Sequence, residues 1–281
     1  MKTVTTVADL RGALAAFREK GQSVALVPTM GALHAGHLAL VEQARKAAGK
    51  VVVSIFVNPR QFGPGEDLDR YPRDLAGDTA KLREAGADLL FAPSVDEMYP
   101  DGFSTTVHVA GVSEGMEGER RPGHFDGVAT VVARLLGLVL PDVAFFGQKD
   151  AQQCAVVMRL VKDLGLPVEV RVAPTVRESD GLALSSRNAY LTAEERKAAP
   201  TLFRALLATQ LVHELGEKKA EKLLKAFRLA ISTEPLLVLD SVDLVDVATM
   251  KPVAKVDRPV LLAAAVKVGR TRLIDNVVFG G

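Results

Sequence analysis

The sequence predicts a doubly wound α/β fold built on a parallel sheet, followed by a second, smaller α+β domain. Two observations predict it. From the N-terminus to about Pro174, short apolar runs rich in β-branched residues alternate with amphipathic stretches of helical period. Apolar strands alternating with helices imply a parallel sheet covered on both faces. Beyond Val176 the order changes to helices followed by strands. The expected boundaries are therefore 1–175 and 176–281, with ligands expected beyond the carboxyl ends of the strands of the first domain.

The elements read as follows. Val24 to Val27 is a short apolar run before a Pro- and Gly-rich turn, and Leu38, Leu40, Val41, Ala44, Ala47 and Ala48 follow at helical spacing. Val51 to Val57 is a β-branched run and reads as a buried strand. Asp74 to Glu84 reads as a helix, Asp88 to Phe91 as a strand and Thr105 to Val109 as another. Gly127 to Leu138 is helical, Val143 to Phe146 a strand, Asp150 to Leu164 a helix and Val168 to Val172 a strand. In the second domain Thr192 and Glu195 have capping-box spacing and open a helix that Pro200 kinks or restarts. Glu217 to Ile231 is a second helix, and Asp240 to Val247, Val260 to Val268 and Ile274 to Phe279 are strand-like.

Composition narrows the function. The 281 residues are 48% hydrophobic and 25% charged, ordinary globular values. Lysine plus arginine (35) nearly balances aspartate plus glutamate (34), which gives no electrostatic case for a nucleic-acid or anionic-membrane partner. The single cysteine, Cys154, can form neither an intrachain disulfide nor a cysteine-based zinc site, and reads as a small apolar core residue. No signal peptide is expected, because Asp9 and Arg11 stand where an apolar stretch would have to be, and no apolar run approaches the ~18 residues of a membrane span. A reducing, cytoplasmic location is expected.

Four segments carry the chemistry. Pro28-Thr29-Met30-Gly31-Ala32-Leu33-His34-Ala35-Gly36-His37 lies between the first strand and its helix. Gly31 and Gly36 let backbone approach a ligand, and the helix N-terminus suits phosphate. His34 and His37, three apart, can face one ligand and donate to phosphate oxygens as charge builds; the bland alternative is a pair of surface histidines beside a tight turn. Asn58 and Gln61, in Asn58-Pro59-Arg60-Gln61, could hydrogen-bond a small polar substrate, or simply close a turn. Gly147-Gln148-Lys149-Asp150 again ends a strand and opens a helix; Lys149 would be a point charge for phosphate, Asp150 a cap or a ribose partner, and Gln153 one turn on can face the same cavity. Leu184-Ser185-Ser186-Arg187 offers two hydroxyls and a guanidinium, a phosphate clamp on a mobile loop or a plain Ser-rich turn. Arg121 to Gly127 is either a binding loop or a cap before the next helix, and His108 and His213 read as structural.

These segments, in this order and over essentially the whole chain, resemble the pantothenate synthetases (pantoate–β-alanine ligases). The most specific stretches are P-T-M-G-A-L-H-A-G-H, F-V-N-P-R-Q-F-G-P-G-E-D, R-P-G-H-F-D-G-V-A-T-V-V and G-Q-K-D-A-Q-Q. H-A-G-H is also similar to the nucleotide-binding histidine motif of class I aminoacyl-tRNA synthetases and related nucleotidylyltransferases. Gln148 stands where the family commonly has glutamate and Leu184 where it commonly has methionine; neither change removes a phosphate-contacting charge.

The resemblance implies a Rossmann-like domain that binds ATP and pantoate, with a small C-terminal lid domain. It implies an ATP-dependent ligation in two steps, through pantoyl adenylate and pyrophosphate, then pantothenate and AMP, with Mg²⁺ accompanying ATP. It implies that Met30, Gly31, Ala32, Leu33, His34, Ala35, Gly36 and His37 bind ATP, together with Gly147, Gln148, Lys149, Asp150, Val176, Leu184, Ser185, Ser186 and Arg187. His34, His37 and Lys149 would carry catalysis, Gln61 and Gln153 would hold pantoate, and Gln61 would lie near β-alanine. No metal ligands follow from it, and a homodimer is the implied assembly. Neutral Gln61 and Gln153 would orient pantoate without pairing tightly with its carboxylate, as an arginine would, so the carboxylate stays nucleophilic. The competing expectations are a nucleotidylyltransferase passing AMP to a phosphate-bearing acceptor, which calls for further basic residues, and a non-catalytic ATP sensor.

Overall fold

A computed structural model describes residues 1–280, and the chain divides into two compact units, Met1–Gln148 with Val156–Pro174 and Lys149–Ala155 with Thr175–Gly281. In the first, β1 (Lys2–Val4) leads into α1 (Val7–Arg18), which Thr6 caps by accepting the Asp9 N–H. β2 (Val24–Thr29), α2 (Ala35–Ala47), β3 (Lys50–Ile55), α3 (Leu75–Glu84) and β4 (Leu89–Phe91) follow. Two short helices, α4 (Val95–Met98) and α5 (Glu117–Arg120), precede the long α6 (His124–Val139). Then come β5 (Val143–Gly147), α7 (Ala151–Asp163) and β6 (Glu169–Ala173), the start of α7 grouping with the second unit.

The six strands form one parallel sheet in the order β1-β4-β3-β2-β5-β6. The inner strands are apolar and buried on both faces, as parallel strands between helices must be. The winding reverses between β2 and β5, so the crevice of the doubly wound sheet opens there. Register shows how. β2 pairs with β3 as far as Thr29 opposite Ile55, but with β5 only at Ala25–Val143 and Leu26–Ala144. Pro28, which has no N–H to give a ladder, lies just past the last β5 pair.

In the second unit α8 (Ala193–Ala198) carries the expected capping box of Thr192 and Glu195, and α9 (Thr201–Glu214) restarts at Pro200. α10 (Ala220–Ile231) follows, then the antiparallel sheet of β7 (Leu237–Asp246), β8 (Val260–Val268) and β9 (Thr271–Phe279), with β8 in the centre. Leu202, Leu206, Leu223 and Phe227 of the helices pack with Val260, Leu262, Val266 and Leu273 of the sheet into one core.

Two readings change. Thr105–Val109 is not a strand: the Val107 N–H is taken by Thr130 Oγ1 on α6 at 2.9 Å instead of by a neighbouring strand. β1 and α1 escape the periodicity reading, although Thr6, Leu10 and Leu14 carry their signal. Among the described residues no helix is long and apolar enough to cross a membrane.

Candidate active site

The turn that leaves β2 is held from behind. Gly31 and Ala32 take left-handed backbone conformations, φ +83° and +51°. That is ordinary for Gly31 and unfavourable for Ala32. Asp78 on α3, only 1% exposed, accepts the Ala32 and Leu33 N–H groups with its two carboxylate oxygens, both at 2.8 Å. Lys81, one turn on, donates to the Leu33 carbonyl at 2.8 Å and stands 3.7 Å from Asp78. The Asp78 carboxylate thus holds the turn shape that sets where α2 begins.

α2 begins with the two histidines. His34 is its N-cap, and His34 and His37 form a capping box. His34 Nδ1 accepts the Gly36 N–H at 3.2 Å, and His37 Nδ1 accepts the His34 N–H at 3.3 Å. The rings lie 4.1 Å apart, centroid to centroid. A nitrogen that accepts from the backbone carries no proton, so in each neutral ring the N–H sits on Nε2. The helix start therefore carries two imidazole Nε2–H donors beside its own N–H groups and the positive end of its dipole.

Gln61 lies on a short 3₁₀ turn, Pro59–Gln61, after β3, and is 9% exposed. Asn58, 1% exposed, caps that turn. Asn58 Nδ2 donates to the Gly127 carbonyl and to Gln61 Oε1, both at 3.0 Å, while Asn58 Oδ1 accepts the Tyr99 hydroxyl at 2.8 Å. Gln61 Nε2 then donates to Met30 Sδ at 3.1 Å. A thioether is a weak acceptor, which a substrate oxygen displaces readily. α6 approaches this turn through Gly127, where a Cβ would come within 2.2 Å of the Arg60 carbonyl oxygen. Only glycine permits that approach.

Arg121 to Gly127 braces the same turn. His124 Nδ1 donates to the Gln61 carbonyl at 2.7 Å, and Arg121 donates to the same oxygen at 3.4 Å and to His124 Nε2 at 3.1 Å. Arg121 also forks onto Glu66 at 2.7 and 2.6 Å. Burial, and then the neighbouring Arg121 charge, hold the His124 pKa below the usual histidine range. Burial works to raise the Glu66 pKa, but the Arg121 hydrogen bond and charge hold it low. The Tyr99 hydroxyl is pushed up to about 12 by burial, which Arg60 and Arg134 only partly offset. Of these residues Asn58 and the Arg121 segment stand out in the sequence, whereas Asp78 and Tyr99 do not, because their partners lie far away along the chain.

The other candidate residues fall on the sheet's second half and in the second unit. Gly147 ends β5, on the strand that parts from β2, and Gln148 opens the 3₁₀ turn Gln148–Asp150 that follows. In the second unit the Lys149 ammonium is 3.9 Å from Asp150, its side chain 19% exposed, and its carbonyl accepts Asn276 Nδ2 at 3.0 Å. Gln153 lies in the first turn of α7. The Leu184 N–H donates to the Val176 carbonyl at 3.0 Å, closing a hairpin that Arg177 anchors by a two-pronged pair with buried Asp275 at 2.6 and 2.9 Å. Ser185 caps the 3₁₀ turn Ser186–Tyr190 through the Arg187 N–H. The serines and Arg187 therefore sit on an anchored hairpin end. His213 packs as expected, its Nδ1 donating to the Glu217 carbonyl at 2.8 Å, and His108 pairs with Asp126 at 2.8 Å on the surface. Burial pushes the Cys154 thiol up to about 12, and the residue is core.

The likeness to known proteins spans the chain. The family described as Pantoate-beta-alanine ligase matches residues 2–278. A pantothenate synthetase of Herpetosiphon aurantiacus is 51% identical over 279 residues, 99% of this chain and 100% of that protein. The crystal structure of pantothenate synthetase from Thermus thermophilus is similar with a TM-score of 0.94 and 55% identity, covering 99% of both chains. That of a pantoate–β-alanine ligase from Francisella tularensis, complexed with β-γ ATP and β-alanine, is similar with a TM-score of 0.80 and 32% identity over 99% of this chain and 97% of that one.

Proposed function

The chain belongs to the pantoate–β-alanine ligase family, and from that premise we propose that it condenses pantoate with β-alanine at the expense of ATP, through pantoyl adenylate. A pantoate carboxylate oxygen attacks the α-phosphorus of ATP, the bond to the β-phosphate oxygen breaks, and pyrophosphate leaves. The uncharged amine of β-alanine then attacks the activated carbonyl, AMP leaves, and the amine gives up a proton as the amide forms.

One observation carries the reading: at the switch point of the sheet, two histidines are locked by backbone N–H groups into the form that donates from Nε2. Adenylation needs donors placed where phosphate charge grows, and needs little covalent help. In this reading Met30 to His37 bind ATP, His34 and His37 stabilise the phosphates, and His37 donates most strongly as charge develops. Gly147, Gln148, Lys149, Asp150, Val176, Leu184, Ser185, Ser186 and Arg187 complete ATP binding, Lys149 as a point charge and Arg187 as a fork. Gln61 and Gln153 hold pantoate, and Gln61 lies beside β-alanine.

Mg²⁺ is expected with ATP. Among the described residues no group of three or more histidine, cysteine, aspartate or glutamate side chains could hold a metal ion. In this reading the ion would be held by the phosphates with water; no step above is routed through it. The expected assembly is a homodimer and the expected compartment the cytoplasm; light scattering of the purified chain tests the first.

The mechanism is tested by exchange of labelled pyrophosphate into ATP with pantoate present and β-alanine absent. Exchange is the expected result. No exchange until β-alanine is added would replace the two-step route with a concerted one.

A further inference from the structure

We propose that Tyr99 is a positioning residue for the acid substrate: through Asn58 it holds the Gln61 carboxamide with its NH₂ end, rather than its oxygen, directed away from the turn. The inference rests on the reading that Gln61 binds pantoate.

A primary amide is nearly symmetric in shape, so packing alone does not decide which end faces a ligand. Here a chain of donors decides it. The Tyr99 hydroxyl donates to Asn58 Oδ1 at 2.8 Å, and the Arg60 N–H supports the same oxygen at 3.3 Å. That leaves Asn58 Nδ2 facing the other way, where the Gly127 carbonyl, which can only accept, takes one of its hydrogens at 3.0 Å. The second hydrogen goes to Gln61 Oε1 at 3.0 Å, so the other end of the Gln61 amide is necessarily the donor. It sits 3.1 Å from Met30 Sδ. A glutamine turned the other way would present an oxygen, which repels a carboxylate.

Tyr99 suits the role because its ring is packed between neighbours. The Arg60 guanidinium lies 4.5 Å over its face, and Phe56 and Phe103 meet it edge-on at 5.9 and 5.1 Å. With burial holding the phenol protonated far above neutral pH, the hydroxyl remains a donor throughout the working range. The Tyr99 hydroxyl bonds Asn58, and Asn58 bonds Gln61, so its influence on the substrate runs through these two amides.

A double-mutant cycle tests this. KM for pantoate, KM for ATP and kcat are measured for the wild type, Tyr99→Phe, Gln61→Ala and the double variant. Tyr99→Phe is expected to raise the pantoate KM about three- to tenfold, the worth of one buried neutral hydrogen bond, with the ATP KM within about twofold of wild type. The effect of Tyr99→Phe should vanish in the Gln61→Ala background, because there is no amide left to orient. A purely structural tyrosine would lower the melting temperature and leave both KM values alone, or act equally in both backgrounds; either result overturns the proposal. Should Tyr99→Phe fail to fold, Asn58→Asp replaces it in the same cycle. Its side chain keeps the acceptor toward Tyr99 and loses the donors toward Gln61 and the Gly127 carbonyl, and in the pantoate KM it is held to the same outcomes with a larger effect. If Gln61→Ala itself leaves the pantoate KM unchanged, the assignment of Gln61 to pantoate fails, and this inference with it. If Gln61→Ala raises that KM but neither Tyr99→Phe nor Asn58→Asp does, only the orienting role fails.

Discussion

Asp78 Oδ2 accepts the N–H of Ala32 at 2.8 Å, while Ala32 itself is held at φ +51°. A buried carboxylate thus stabilises a backbone shape that an alanine disfavours, just before the start of α2 proper. Asp78→Asn tests the arrangement. It keeps one acceptor and turns an NH₂ group against the other backbone N–H, leaving a buried donor unpaired. A loss of roughly 2–3 kcal/mol in stability is expected, with a raised KM for ATP. Chemical denaturation and initial rates measure both. Unchanged ATP affinity in a destabilised protein would separate this turn from the nucleotide.

His37 combines a cap with a proposed catalytic donor, and the two can be separated. His37→Asn keeps an oxygen able to accept the His34 N–H and removes the Nε2–H. It should fold like wild type and lose about 10²–10³-fold in kcat, with a smaller change in the ATP KM. A variant with full kcat returns His37 to capping alone.

Gln61→Glu is nearly isosteric and, with Gln61 at pantoate as proposed, puts a carboxylate against the substrate carboxylate. At ~4 Å and an effective dielectric of ~20, like charges repel by about 4 kcal/mol. One oxygen would still accept from Asn58, and burial would raise the pKa of the new group, so about 2 kcal/mol, or roughly thirtyfold in pantoate affinity, is expected. The defect should shrink as pH falls and the introduced group protonates, with ATP binding little changed. Titrations of pantoate and of an ATP analogue across pH read both, and equal weakening of the two would mean a collapsed site.

Lys149→Ala should impair adenylate formation, since the positive charge proposed for the phosphates is lost. Preformed pantoyl adenylate supplied to the variant should still react with β-alanine. If the second half-reaction falls as far as the first, Lys149 is not the phosphate-specific residue proposed.

The His124 brace gives stability a pH dependence whose sign follows from its protonation. Nδ1 donates to Gln61 and Nε2 accepts from Arg121, so the folded protein holds the ring neutral and its pKa lies below the unfolded value. The unfolded chain then binds more protons below about pH 6.5. The contribution is therefore complete above that pH and is lost as pH falls through the interval down to the depressed native pKa. The melting temperature of His124→Asn minus that of wild type should rise between pH 7 and pH 5. A flat difference would mean the ring titrates alike in both states.

The sheet was legible because parallel strands buried on both faces leave uninterrupted apolar runs, such as Val51–Val53. The histidine turn and the Gln61 turn were legible because each follows such a run. What escaped detection depends on the tertiary fold. Nothing around Asp78 announces that it will cap a turn 45 residues earlier, or around Tyr99 that it will meet Asn58 41 residues earlier. The Arg121–His124 stretch was visible as a motif, yet its role as a brace for the Gln61 backbone appears only when α6 is packed against that turn.

The strand order also sets a timetable for folding. β2 and β3 are near neighbours in the chain and can pair early, whereas Val24 meets the side chain of Asp142 across a separation of 118 residues. Non-local pairing is slow because a long loop must close before any contact compensates for its entropy. On the ribosome, the second wall of the crevice cannot exist until β5 has emerged, by which time the histidine turn has been made for most of the unit's synthesis. A nascent chain stalled before Val143 would carry the turn without the sheet edge that completes its surroundings, and would expose the β5 side of β2 as an unpaired strand to chaperones.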